Sequence, residues 1–191
     1  MALAIGTRPD CIDEEIAALI AEYGKRLDVW VELGLQTASD RTAERINRGY
    51  PTEVFERAVR ILHERGIPVV AHLMIGLPGE GEEELTETIT LIGSLPLSGI
   101  KIHSLYVMEG TRLAEEYRRG EFSPITLEQY VSRAARVVAS VSPDLIIHRL
   151  TGDCPKGMLV APEWNSDKNA IISAIVKRLE SQGLRQGSLY E

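Results

Sequence analysis

The stretch Ile67-Pro-Val-Val-Ala-His-Leu-Met-Ile-Gly-Leu-Pro-Gly-Glu-Gly81 decides how the rest of the chain is read. Its first nine residues are almost continuously apolar, the signature of a strand buried on both faces, as parallel sheets require. The run breaks at Gly76, Pro78, Gly79 and Gly81. Glycine admits positive φ and close backbone approach, and Pro78 holds Leu77 extended. A buried strand ending in a rigid glycine-rich turn before a helix is where α/β proteins hold ligands, at the carboxyl ends of the strands. Within the strand, His72 is a polar group that needs a partner.

Outward from this stretch, strand and helix signals alternate. Ala2–Gly6, Val29–Leu35, Gly99–Met108 and Leu145–His148 read as strands. Helices are expected from Asp13 to Gly24, from Ser39 or Asp40 to Asn47, from a Thr52 cap to Gly66, and from Glu82 to about Leu95. Further helices follow from Thr111 to Gly120, from a Thr126/Gln129 capping box to about Ser140, and over Asp167–Gln182 before Gly183. Alternation of this kind means a parallel sheet with right-handed crossovers. Four or five strands are too few to close an eight-stranded barrel, which leaves a partial barrel or an open sheet. The Glu80–Glu84 run fits the helix dipole better than a metal site.

The 191 residues suffice for one sizeable domain. Twenty-one basic against 28 acidic residues give a net charge of −7, which argues against a broad nucleic-acid surface. No apolar run approaches the roughly 20 residues of a membrane span. Cys11 and Cys154 form no CxxC and no metal-ligand spacing, so both thiols are expected free in a reducing cytoplasm.

Strand residues alternate faces. Val29, Val31, Leu33 and Leu35 suit packing under helices, whereas Trp30, Glu32, Gly34 and Gln36 share the other face. His72 lies with Val70 and Met74, Lys101 shares a face with His103, and His148 sits near the end of the fifth strand. Glu32 could pair with Lys101, and each histidine could be a satisfied core residue. Taken together, so many polar groups on one side of consecutive parallel strands point into one cavity, because burying them is costly otherwise.

Three segments in order, Glu32-Leu-Gly-Leu-Gln-Thr37, Arg45-Ile-Asn-Arg-Gly49 and His72-Leu-Met-Ile-Gly-Leu-Pro-Gly-Glu80, resemble the middle of radical S-adenosylmethionine (SAM) proteins. The nearest resemblance is to the YhcC-type group, related to the Elongator catalytic subunit and more distantly to oxygen-independent coproporphyrinogen oxidase. Gly6–Cys11 and Gly99–Leu105 fit that group in the same order. The resemblance implies an α/β fold, a partial parallel (β/α) barrel cut from a (β/α)6 barrel, with C-terminal helices. Residues 1–150 would belong to the barrel, and 151–191 would be an extension with a terminal helix. It implies SAM as cofactor, with Gln36 near its ribose and methionine and Arg48 on its carboxylate, a natural task for a guanidinium. His72 stands where relatives place a ribose-binding aspartate. Gly6 replaces a ribose-binding glutamate, for which Glu32 could compensate. The Gly76, Leu77, Pro78 and Gly79 turn would approach the adenine, and Lys101, His103 and His148 would line a substrate pocket.

The family's [4Fe–4S] cluster is held by a CxxxCxxC loop, and that motif does not occur here. The sequence is therefore read as the C-terminal part of a longer radical SAM protein, with the cluster ligands outside it. Such a piece would expose Ala2–Gly6 as an open edge and self-associate through it. The intact protein would act on an unknown substrate, tRNA among the candidates. Two alternatives remain: a metal-dependent barrel hydrolase or lyase using His72, His103 and His148, and a non-catalytic SAM-binding module. The segment 149–169 is long for a loop and could act as a lid.

Overall fold

A computed structural model describes residues 1–190. The strands β1 (Ala2–Thr7), β2 (Asp28–Gln36), β3 (Val69–Ile75), β4 (Gly99–Ser104) and β6 (Ile146–Arg149) form one sheet, all neighbours parallel, in the order in which they occur along the chain. Because each crossover steps to the next strand in the same sense, right-handed connections put the helices on one face. These are α1 (Glu14–Gly24), α2 (Asp40–Arg45), α3 (Thr52–Glu64), α4 (Glu82–Ser94) and α6 (Leu127–Ser140). This is the winding of a barrel rather than of a doubly wound sheet, and five strands make part of one.

The alternation along the strands decides which face the helices cover. Val31, Leu33, Leu35, Val69, Ala71, Ile100 and Ile102 are fully buried against Phe55, Val59, Leu62 and Ala134 in one continuous core. Each such aliphatic side chain contributes about 1.5–3 kcal/mol by leaving water. The opposite face carries Glu32, Gly34, Gln36, His72, Met74, Lys101 and His103, all only half-buried. It is the inner wall of the partial barrel.

Local chemistry sets the helix ends. Asp13, Ser39, Thr111, Thr126 and Asp167 accept backbone N–H bonds as caps, and Thr126 with Gln129 closes a capping box. Thr52 differs from expectation. Pro51 holds the cap position, and the Thr52 hydroxyl instead donates to the Ala38 carbonyl. Gly24 is the last residue of α1 rather than a left-handed cap beyond it.

The expected strand Gly99–Met108 is two. After Ser104 the chain leaves the sheet, and β5 (Val107–Met108) pairs antiparallel with β7 (Leu159–Ala161). Around that small sheet pack α5 (Arg112–Arg118) and Phe122. The segment expected as an irregular loop thus contains β7. Helix α7 (Lys168–Ser181) packs on α6 and sends Ile171 and Ile175 into the main core. Among the described residues no helix is long and apolar enough to cross a membrane.

Candidate functional site at the carboxyl ends of the strands

At the carboxyl end of β2 the backbone departs from ideal strand geometry. The β2–β3 register shifts between Gly34 and Gln36, and Gln36 has φ +65°, the left-handed region that non-glycine residues enter at a cost. This turns the Gln36 side chain back over Gly34. A Cβ on Gly34 would stand 2.9 Å from Gln36 Nε2 and 3.2 Å from the Tyr50 hydroxyl, so a larger residue there would displace the Gln36 amide from this position. The Tyr50 hydroxyl donates to the Gly34 carbonyl at 2.7 Å and fixes the arrangement.

Gln36 opens onto a cavity of about 660 Å³. Met74, Leu77, Pro78 and Leu105 supply its apolar wall, and Arg45, Asn47 and Arg112 are among its polar residues. The volume suits a nucleoside-sized ligand. Gly76 does not present a free backbone face, because the Ile125 side chain comes within 3.1 Å of where its Cβ would be. That glycine makes room for packing, while Leu77 and Pro78 line the cavity.

Along the same face of the sheet, towards the amino ends of the strands, lies a closed polar network. Lys101 Nζ donates to Glu32 Oε2 at 2.5 Å, His72 Nε2 lies 2.9 Å from the same oxygen, and Trp30 Nε1 donates to Glu32 Oε1 at 3.1 Å. Burial alone would raise the Glu32 pKa, but these donors outweigh it and draw it down to about 2. Burial lowers His72 despite Glu32. The His103 ring stacks on His72 with centroids 5.3 Å apart, and its Nε2 is buried without a partner. Burial, aided by the nearby positive charges, pushes His103 down to about 4, so it is neutral at pH 7.

Arg48 and His148 stand apart from this network. Arg48 is buried, and its guanidinium donates to the carbonyls of Leu35, Thr37 and Tyr50, to Asp40 Oδ1 and to the Thr52 hydroxyl. All five N–H groups find partners inside the chain. His148 is exposed and packs over Gly99 on a second cavity of about 650 Å³ at the amino ends of the strands, lined also by Trp30, Ile67 and Val70. It does not join His72 and His103, and among the described residues no three His, Cys, Asp or Glu side chains could hold a metal. The metal-dependent hydrolase therefore has no centre here. Arg45, Met74 and Leu105 were not singled out in the sequence, since nothing in local pattern shows which side chains ring a strand-end cavity.

A singly wound parallel sheet with a polar inner face and a cavity at its carboxyl edge defines part of a parallel (β/α) barrel. Comparison with known proteins narrows this. The Radical SAM superfamily matches residues 1–92, and the Radical_SAM C-terminal domain matches residues 97–181. The chain belongs to the radical SAM superfamily, whose cofactors are SAM and a [4Fe–4S] cluster. It is 34% identical to the protein YhcC of Escherichia coli over 188 residues, 98% of this chain and 61% of that protein. It is 30% identical to a tRNA uridine(34) acetyltransferase of Methanocaldococcus infernus, over 97% of this chain and 34% of that enzyme. The archaeal Elp3 of the same organism superposes with a TM-score of 0.83 at 29% identity, covering 97% of this chain and 43% of Elp3. The chain thus spans about three fifths of YhcC and a smaller part of the other two.

Of the two cofactors, the residues present fit SAM and not the cluster. The strand-end cavity offers volume, an amide, a guanidinium and apolar surface. Cys11 is exposed before α1 and Cys154 half-buried in the loop before β7, and a cluster needs several converging thiolates.

Proposed function

We propose that this chain is the part of a radical SAM enzyme that holds SAM and faces the substrate. The observation that carries the reading is the cavity beside Gln36, Leu77 and Pro78, at the strand ends where a parallel barrel holds its ligand. Bound SAM, with a reduced cluster, supplies a 5′-deoxyadenosyl radical for hydrogen abstraction. The residues of this chain bind and shield. Gln36, held by its bulge over Gly34, offers an amide to the ribose and methionyl end. Leu77, Pro78, Met74 and Leu105 give apolar walls for the adenine and exclude water. The half-buried stripe of Lys101, His72 and His103 faces the lumen where a substrate would sit, with Glu32 neutralising Lys101. The substrate we infer is RNA, on the likeness to the tRNA uridine(34) acetyltransferase alone; the net charge of −7 gives it no support.

Two assays test this. Calorimetric titration of the chain with SAM should give saturable binding, weakened about tenfold or more by Gln36→Ala through the lost buried hydrogen bond. In a protein where this chain follows a cluster-bearing segment, reduction with SAM should release 5′-deoxyadenosine. A loaded, reduced protein that forms none would overturn the catalytic reading.

A further inference from the structure

The last strand of the sheet brings a cation to the inner face by breaking its own alternation. Along β6, strict alternation would set Ile147 and Arg149 on one side and His148 on the other. The β4–β6 register departs from it: Gly99 and Ile100 lie opposite Ile146 and Ile147, but Lys101 lies opposite Arg149, so one residue of β6 is skipped. Such a bulge re-aims the side chain that follows it. Ile147 packs with Ile100 on the helix side, while Arg149 turns to the face of Lys101 and His103.

The other charges of this face are matched. Lys101 is held by Glu32, whose carboxylate also meets His72 and Trp30. Asp153, in the segment after β6, is bound by Lys168 at 3.0 Å. Arg149 is half-buried and makes no ion pair and no hydrogen bond among the described residues. Beside it is a second unmet group, His103 Nε2, buried without a partner on a ring stacked against His72. The turn that follows Arg149 is seated on that ring, since a Cβ on Gly152 would stand 3.4 Å from both His103 Nδ1 and Tyr106 Cε1. Burial above all, with the charge of Arg149 adding to it, keeps His103 neutral.

A guanidinium offers only donors, and a neutral imidazole protonated at Nε2 offers one more. A carboxylate or phosphate satisfies both, because the guanidinium fork binds two of its oxygens and the imidazole N–H adds a further bond. We propose that Arg149, together with His103, binds an oxyanion of the substrate, a carboxylate or a phosphate, on the inner face of the barrel. The inference rests on the reading of that face as the substrate's and names the chemistry it recognises. Lys101 does not serve this end, because Glu32 already neutralises it. A nucleotide would supply a phosphate, and an acid substrate a carboxylate.

The test uses two probes, inorganic phosphate and acetate, titrated into the chain at constant ionic strength while its four histidine rings are followed in long-range 1H–15N spectra. We expect the His103 ring to shift and saturate with at least one anion, while the exposed His63 and His148 stay in place. Arg149→Gln should weaken this binding about tenfold or more, the size of a charge-assisted hydrogen bond. Arg149→Lys, which keeps the charge, should retain most of it, and thermal melts check that both variants are folded. Tighter phosphate assigns the group as a substrate phosphate, and tighter acetate as a substrate carboxylate. No saturable shift with either anion, equal shifts at all four histidines, or equal affinity in the wild type and Arg149→Gln overturns the proposal. SAM is titrated in parallel. A chain that binds the anions through Arg149 but not SAM keeps this inference and overturns the SAM reading. Loss of SAM affinity in folded Arg149→Gln gives the guanidinium to the cofactor and overturns this inference alone.

Discussion

His103 shows how one buried side chain ties the site to pH. Its Nε2 has no partner, His72 stacks on it, Lys101 and Arg149 add positive charge, and only Asp153 opposes them. A histidine whose folded pKa lies near 4 and whose unfolded pKa lies near 6.5 is favoured neutral by folding. Its contribution is therefore complete above about pH 6.5 and is lost as pH falls from there to about 4. Discounted for partial access to solvent, the loss is of the order of 1–2 kcal/mol. His72, lowered in the same direction, adds to the same window. Urea denaturation at stepwise pH should show His103→Gln flattening stability between pH 6.5 and 4, leaving the fall below about pH 4.5 that Glu32 contributes as its depressed pKa is approached. A variant with the wild-type slope between pH 6.5 and 4 would contradict this. The sequence placed Glu32, His72, Lys101 and His103 on one face, because a period of two is legible in any strand. It did not distinguish the bonded trio from the unpaired ring, since that depends on distances across strands. Glu32 pairs with Lys101, as one reading of the sequence expected, and His103 Nε2 is buried without a partner.

Elements show where local chemistry suffices and where it does not. The helix caps at Asp13, Thr111 and Thr126 were legible because a cap is decided within four residues, and of the two candidates Ser39 and Asp40 it is Ser39 that caps. The break of the fourth strand was not, because the partner that draws Val107–Met108 away, Leu159–Ala161, lies about fifty residues on in a segment punctuated by glycine and proline. Arg48 is an element-scale feature of the same kind. From the loop after α2 it reaches the end of β2, the cap region of α2 and the first residue of α3. Family resemblance marked it as a ligand clamp, whereas its structural bonds within the chain depend on distances between elements that the sequence does not show. Arg48→Met should cost about 3 kcal/mol or more, since it leaves buried carbonyls of Leu35 and Thr37 without their donor. Arg45→Gln should cost well under 1 kcal/mol, as an unpaired exposed side chain does. Guanidinium denaturation of the two variants checks the contrast, and equal losses would refute it.

At the scale of the whole molecule, the sheet has a covered outer face, an open inner face and two free edges. β1 is exposed along most of its length, with Leu3 40% exposed, and its outer backbone groups are unpaired within the chain. We propose that this edge pairs with a second copy. Multi-angle light scattering at high concentration should then show dimers or larger species, and Leu3→Lys or Ile5→Pro should shift them to monomer. A monodisperse wild-type monomer would rule the pairing out. We place SAM at the carboxyl ends of the strands, and the molecule offers a built-in control. A second cavity of nearly equal volume lies at the amino ends, lined by Gly24, Trp30, Ile67 and Ser98. The most direct measurement is therefore a 1H–15N correlation spectrum of the chain recorded during a SAM titration. The amides of Gln36, Arg45, Asn47, Met74, Leu77 and Leu105 should shift together and saturate, while those of Gly24, Trp30 and Ile67 stay in place. Shifts confined to the amino-end cavity, or none at saturating SAM, would contradict it.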